Sequence, residues 1–186
     1  MTYGLPKTLE INGIEYAIRS DFREVLEVLE IMADVDLIQE ERWYLTLLFF
    51  YPDFDMISYS DYEEATKRCY WFLNGGKTEE DTGNHPRLMD WQQDFPLIIA
   101  PVNRIMGHDI RGDEYVHWWS FLAAYGEIGE CTWAQVVHIR DAKARGRPLD
   151  KTDQEWYRKN KKLVDLDQKI TTQEEEFLKK WGCVNG

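Results

Sequence analysis

Apolar and polar residues alternate along residues 9–18, LEINGIEYAI, around a central Asn12-Gly13. Asn and Gly both tolerate the positive φ angles of a type I′ turn, so the pattern predicts a β-hairpin. An isolated hairpin is marginal in water, and we expect its apolar face to pack on other elements. Pairing across the turn places Ile11 opposite Ile14 and Leu9 opposite Tyr16, and these four residues form the apolar face. Glu10 lies opposite Glu15 on the face exposed to solvent.

After the hairpin, apolar residues recur at the three- and four-residue spacing of helices. The end of the second predicted helix, LTLLFFY, is apolar on all sides, and we expect it to be buried. The first three helices run from Asp21 to about Ala33, from a cap at Asp36 to Tyr51, and from Ser60 to the NGG at 74–76, with Glu24 and Glu63 completing capping boxes.

Residues 75–90 are polar and unpatterned, which indicates a loop or linker. Pro101 should kink the helix that follows, and Gly107 should end it. Further helices are predicted from a cap at Asp94, within 114–126, from a cap at Thr132, from Thr152 with Glu155 as a long polar helix, and from Thr172 with Glu175 to Trp181. The predicted fold is mainly α, a bundle of about six to seven helices with a small N-terminal β-hairpin.

A chain of 186 residues suits one compact domain, with or without an appendage. Gly146 and Pro148 interrupt the helical pattern. We therefore predict a hairpin plus helical core domain over 1–145 and a C-terminal helical extension, packed on that core, over 146–186.

The formal net charge of −12 should repel phosphate backbones, so nucleic acid is not an expected partner. Residues 140–162 are the exception, with nine basic and four acidic side chains. This tract is predicted to form a solvated helical face, although it could also meet an acidic partner or fold against the acidic body of the protein.

No apolar run approaches the length of a membrane span, and the first 18 residues lack the sections of a signal peptide. We therefore expect no membrane association and a location in the cytoplasm of the cell that makes the protein. Three cysteines without a CxxC pair predict reduced thiols.

No pair of the four histidines has the i, i+4 spacing of a zinc hydrolase, so we expect no metal. The sequence also lacks the GxSxG, GxxxxGK[ST] and GxGxxG motifs, and we expect no cofactor. The acidic pairs Asp109 with Asp113 and Glu40 with Glu41 could be read as general acid and base. Helix capping is the better interpretation in a chain with 34 carboxylates.

The segment EYVHWWSFLAAYG, residues 114–126, is more than half apolar. At 100° per residue, its large side chains share one stripe, as expected of a central helix in a bundle. His117 falls at the border of this stripe, and we expect one ring nitrogen to fix a neighbouring helix or loop. The predicted structural core residues are His117, Trp118, Trp119, Phe121 and Leu122.

These residues also carry a resemblance. LPKTLEINGIEYAIRSDFRE (5–24), Asp94 with Ile98 and Ala100, HWWSFLAAY (117–125) and VVHIR (136–140) together resemble the gene-product-fifteen family of phage and prophage proteins. The resemblance covers roughly residues 5 to 160 and includes no catalytic motif. One departure is DFPLIIAPVNRI, which is aliphatic where an aromatic segment is expected.

Members of this family typically lie near the tape-measure gene, so the resemblance implies a tail assembly chaperone. Such a chaperone would keep exposed apolar helices of the tape-measure protein soluble while tail tube subunits polymerise. The implied partners are the tape-measure protein, tail tube subunits or both, and self-association is left open. Partner contacts are expected at surplus aromatics of the C-terminal region, namely Trp156, Phe177 and Trp181.

Two other hypotheses stay open at this point. The same features would serve a structural virion protein of the tail or neck. An uncharacterised enzyme using His117 and a nearby carboxylate would require a cleft lined by both groups. The absence of a catalytic signature favours a protein that is not an enzyme.

Overall fold

The computed structural model describes residues 4–77, 86–167, 169, 171 and 172. Within this part of the chain, an antiparallel hairpin is followed by eight α-helices, which confirms the predicted fold class. The elements are β1 (Thr8–Ile11), β2 (Ile14–Ala17), α1 (Phe22–Met32), α2 (Gln39–Phe50), α3 (Tyr62–Leu73), α4 (Trp91–Met106), α5 (Trp118–Gly126), α6 (Thr132–Ala144), α7 (Lys151–Lys159) and α8 (Lys161–Val164).

The hairpin has the predicted register, and Asn12 and Gly13 have φ angles of 49° and 88° in its turn. Leu9 and Ile11 are buried, as is Tyr16. Ile14 departs from the predicted apolar face, since 56% of it is exposed. Helix α3 packs mainly against β1, so the turn end of β2 lies outside the core.

The centre of the core lies between α1 and α5. Phe22 stacks on Phe121 with ring centroids 5.0 Å apart, and Trp118 stacks on the same Phe121 at 5.5 Å. All three side chains are buried. Large aromatic side chains contribute 150 to about 250 Å² of buried surface each, so this stack is a main source of stability.

Backbone hydrogen bonds join the starts of α1 and α5. The N–H of Phe22 donates to the carbonyl of Val116 at 2.9 Å, and the N–H of Trp118 donates to the carbonyl of Ser20 at 2.8 Å. This antiparallel bridge links segments almost one hundred residues apart and fixes the position of α5 relative to α1.

Asp21 caps α1 as predicted, because its carboxylate accepts the N–H of Arg23 at 2.9 Å. The capping box predicted with Glu24 does not form. The carboxylate of Glu24 instead accepts a hydrogen bond from Arg19 at 2.8 Å, since that guanidinium is close and charged.

The predicted cap of α2 at Asp36 is wrong. Helix α2 begins at Gln39, and Glu41 accepts the N–H of Ile38 at 3.2 Å at its start. The carboxylate of Asp36 is occupied elsewhere, by the backbone N–H and hydroxyl of Thr172.

The predicted cap of α4 at Asp94 is also wrong. Helix α4 begins at Trp91, and Asp90 caps it by accepting the N–H of Gln93 at 3.0 Å. Asp94 lies one turn inside the helix, where its buried carboxylate pairs with Arg140. Its Oδ2 also accepts the N–H of Asp90 at 2.9 Å, so Asp94 supports the start of α4 from inside the helix in addition to binding Arg140.

Three other predicted starts shift by one or two residues. Helix α3 begins at Tyr62, because Ser60 belongs to a preceding 3-10 turn. Helix α6 includes Thr132 as its first residue, after Cys131. Helix α7 begins at Lys151, one residue before Thr152, because the Asp150 carboxylate caps it. The predicted long polar helix is also interrupted after Lys159, and α8 follows as a separate helix. No single long helix forms there.

Helix α4 continues through Pro96 and Pro101 and ends at Gly107, which has a φ of 81°. The helix predicted from Thr172 to Trp181 lies outside the described residues, apart from Thr172. The boundary predicted at residue 145 stays a prediction. Helix α8 packs on α6, and Val164 is buried there.

Candidate functional site

His117 is the N-cap of α5 and not a member of its apolar stripe, which corrects the predicted helix start. Its Nδ1 accepts the N–H of Trp119 at 3.0 Å, and its Nε2 donates to the carbonyl of Pro6 at 2.9 Å. Both ring nitrogens are thus engaged, and only 2% of the residue is exposed. The imidazole connects α5 to the segment before β1.

This arrangement requires a neutral imidazole, because a protonated Nδ1 could not accept the N–H of Trp119. Burial lowers the pKa of His117, the nearby charge of Lys7 lowers it further, and the carbonyl of Pro6 opposes both effects. The pKa therefore lies below the ordinary value for histidine. His117 is a helix cap held in its uncharged form.

The two tryptophans after His117 bind the end of α3. The indole N–H of Trp118 donates to the carbonyl of Leu73 at 2.9 Å, and that of Trp119 donates to the carbonyl of Phe72, also at 2.9 Å. The last carbonyls of a helix lack partners within it, so the indoles satisfy two of them. Residue periodicity alone gave no signal for this contact.

The predicted core residues differ in burial. Trp118 and Phe121 are buried, whereas Trp119 and Leu122 are partly buried and pack against the core from its edge. Trp119 lies against Gly76, where an added Cβ would come within 2.8 Å of the indole. The double-tryptophan segment thus has one member inside the core and one at its margin.

A pocket of about 610 Å³ opens beside Trp119. Trp71 and Gly76 line it from the α3 end, and Pro6 and Glu15 line it from the hairpin side. Its described lining includes neighbours of His117 but not His117 itself. The geometry therefore gives no support to the cleft that the enzyme hypothesis required.

The other described histidines contact carboxylates at the surface. Nε2 of His108 lies 2.7 Å from Asp113, and Nε2 of His138 lies 3.1 Å from Asp153. In residues 4–77 and 86–167 and the three described residues beyond them, no group of three acidic, histidine or cysteine side chains could hold a metal ion. His85 is outside the described residues.

Asp109 and Asp113, one of the two acidic pairs that could be read as general acid and base, each bind a basic side chain. Asp109 accepts hydrogen bonds from Arg111, and these lower its pKa. Asp113 pairs with His108, whose pKa it raises. Among possible nucleophiles, burial raises the pKa of the Cys69 thiol and disfavours its reactive thiolate.

Sequence reasoning missed the buried ion pair between Asp94 and Arg140. Both carboxylate oxygens accept from the guanidinium, at 2.6 and 2.9 Å. Arg140 belongs to the basic tract that was predicted to be a solvated face, so that prediction is wrong for its first residue. The position of Arg140 on the inner side of α6, next to Ile139, was the available signal.

An apolar surface lies on the outer face of α2, and we define this face as Tyr44, Leu45 and Leu48 of the helix together with Leu37 of the preceding loop. Tyr44 and Leu48 are 50% and 46% exposed. The predicted burial of the helix end LTLLFFY is confirmed for most of its residues, since Thr46, Leu47, Phe50 and Tyr51 are buried. Leu48 is the exception and lies on the outer face.

Two carboxylates lie beside this face. Glu40 and Glu41 line a groove of about 410 Å³ together with Leu37, Tyr44 and Leu45. Tyr44 and Leu48 are four residues apart and share one side of the helix, and Leu37 lies two residues before its start. The outer face of α2 is thus an apolar stripe with an acidic margin.

Of the three residues predicted to contact a partner, only Trp156 is among the described residues. Trp156 is partly buried and packs against the core, and its part in partner binding stays a prediction. Phe177 and Trp181 lie outside the described residues. Their part in partner binding stays a prediction.

No curated protein and no solved structure matches the chain. Among the helices of the described residues, none has both the length and the apolar character needed to cross a bilayer. The family model described as Bacteriophage Gp15 protein matches residues 1–166 of the 186, and the chain therefore belongs to the bacteriophage Gp15 protein family.

Proposed function

We propose that this protein is a tail assembly chaperone that binds exposed apolar helical surface of the tape-measure protein during tail assembly. The observation that carries the proposal is the outer face of α2, an apolar helical stripe that the described core leaves uncovered. Membership of a bacteriophage family supports the viral context.

The geometry of the outer face of α2 suits a partner helix. Tyr44, Leu45 and Leu48 lie on one side of α2, and Leu37 lies in the loop just before its first turn. Amphipathic helices bind such stripes through apolar residues repeated at three- and four-residue intervals. A large exposed apolar stripe on a protein is itself a mark of an interaction site.

The acidic margin supports a solubilising role. Glu40 and Glu41 flank the stripe, and the chain has a net charge of −12. A complex that covers the partner's apolar stripe and presents this charge to water would resist aggregation. The acidic margin also favours a partner helix with basic residues beside its apolar side.

The proposal assigns no chemical step to the protein. His117 uses both ring nitrogens in structural hydrogen bonds, and Cys69 is buried. Binding and release of apolar surface are sufficient for the proposed activity.

Co-expression with the tape-measure protein of the same phage tests the proposal. We expect the partner to move into the soluble fraction and to elute with this chain from a size-exclusion column. Leu48→Glu should reduce the recovered complex by about tenfold, the factor that corresponds to 1.4 kcal/mol of binding energy.

Ile105→Glu is the matched control, because Ile105 is an exposed aliphatic residue on α4, at 40% exposure against 46% for Leu48. That variant should retain the complex. A partner that stays insoluble beside wild-type protein would refute the chaperone role. Stoichiometric recovery of this chain in purified virions, by mass spectrometry, would instead favour the structural tail or neck protein.

A further inference from the structure

The chain after α8 returns across the molecule to the loop before α2. The N–H of Asp167 donates to the side chain of Gln93 at 3.0 Å, and Nζ of Lys169 lies 3.0 Å from Asp90. These contacts hold the returning chain against the start of α4. They direct it from α8 toward the loop between α1 and α2.

Thr172 completes this path. Its backbone N–H and its hydroxyl each donate to one carboxylate oxygen of Asp36, both at 2.6 Å. Both donors bind the same carboxylate, which fixes the position of Thr172 relative to Asp36 in the structure. It places residue 172 directly before Leu37, where the outer face of α2 begins.

We propose that the following segment, residues 173–186, docks on the outer face of α2 and covers it in the isolated protein. A partner helix would then bind by displacing this segment. The displacement step rests on the proposed chaperone function, whereas the docking step does not.

The length of the segment matches the surface. Fourteen residues follow Thr172 in this sequence, and the outer face of α2 extends over twelve residues, from Leu37 to Leu48. A helical segment of this length spans about 21 Å, and α2 itself spans about 18 Å. Phe177, Leu178 and Trp181 have the spacing of one helical side and provide apolar groups for the stripe.

The charge of the face favours the basic part of the segment. Glu40 and Glu41 flank the outer face of α2. Lys179 and Lys180 follow Phe177 and Leu178 in the segment and can pair with these carboxylates.

Hydrogen–deuterium exchange of the intact protein tests docking. In wild-type protein, the backbone amides of residues 173–186 should exchange at least about tenfold more slowly than those of an unfolded chain, because docking protects them. Leu48→Glu and, separately, Thr172→Val should both remove this protection. Ile105→Glu should preserve it, and exchange in α5 should be unchanged in all variants.

The alkylation rate of Cys183 gives a second measurement, since this thiol lies within the segment. The rate should rise about tenfold in Leu48→Glu and Thr172→Val but not in Ile105→Glu. Free-chain exchange of residues 173–186 in wild-type protein would overturn the proposal. Protection that survives both Leu48→Glu and Thr172→Val would overturn it as well, because the segment would then lie elsewhere.

Addition of the tape-measure protein separates the two proposals. Faster exchange of residues 173–186 in the complex would support displacement. Complex formation with undiminished protection would refute displacement and leave the chaperone function intact. If no complex forms but wild-type protection is present, the chaperone proposal fails and docking stands.

Discussion

Asp94 and Arg140 form a two-point ion pair inside the protein, with side-chain exposures of 1% and 4%. Arg140 also donates to the carbonyls of Leu88, Leu163 and Val164. One guanidinium therefore joins α4, α6, α8 and the segment before α4. Arg140, the first residue of the basic tract 140–162, therefore holds several elements of the core together.

Replacing Arg140 with Met should destabilise the protein by about 3–5 kcal/mol, because Asp94 would remain as an unpaired buried charge. Urea unfolding followed by circular dichroism measures this loss. Adding Asp94→Leu should recover part of it, since the double variant buries no lone charge. Arg145→Met changes an exposed residue and is the control. If Arg140→Met were no less stable than Arg145→Met, the assigned role of Arg140 would be contradicted.

His117 should make stability depend on pH. Its pKa is lowered in the folded protein, so protonation favours the unfolded state. The contribution of His117 to the free energy of unfolding is fully present above the ordinary histidine pKa of 6.5, and it declines as the pH falls below that value. Urea unfolding at pH 7.5 and about pH 5.5 should show the decline.

His117→Asn is the comparison for this measurement, because Asn caps helices without titrating. The variant should lose less stability over the same pH interval. His108 has a raised pKa and contributes with the opposite sign, but it is present in both proteins. Equal pH dependence in the two proteins would show that the cap at residue 117 does not titrate.

Gly76→Ala should be more destabilising than Gly107→Ala. Both glycines have a φ near +80°, so either substitution incurs backbone strain of about 1–3 kcal/mol. A Cβ at position 76 would also lie 2.8 Å from Trp119, whereas nothing lies within 4 Å at position 107. Thermal unfolding should rank the variants in that order, and equal losses would show that Trp119 moves freely.

Ile11 and Ile14 face each other across the hairpin yet should respond differently to truncation. Ile11 is 1% exposed and Ile14 is 56% exposed. Ile11→Ala should cost about 2–5 kcal/mol, and Ile14→Ala less than about 1 kcal/mol. Chemical denaturation would test this difference, and similar losses would place both residues on the core.

The helices could be predicted from sequence because their periodicity arises from neighbouring turns of the same segment. Their starts were harder to predict. Asp36 and Asp94 both have good capping chemistry, but each binds a residue distant in sequence, Thr172 or Arg140. Local pattern could not reveal which carboxylate was already engaged.

The double-tryptophan segment was likewise predictable only in part. Its apolar pattern predicted a helix at the centre of the bundle, and α5 lies there. The pattern could not show that the indoles donate to the carbonyls of Phe72 and Leu73 or that His117 precedes the helix as its cap. Those contacts depend on how α3 and α5 are placed in three dimensions.

The bridge between the starts of α1 and α5 has a consequence for synthesis on the ribosome. Ser20 and Phe22 obtain their backbone partners only after Val116 and Trp118 have left the exit tunnel. Late contacts between distant segments delay the completion of a fold. More than half of the polypeptide must therefore be translated before the N-terminal hairpin and first helix acquire their final neighbours.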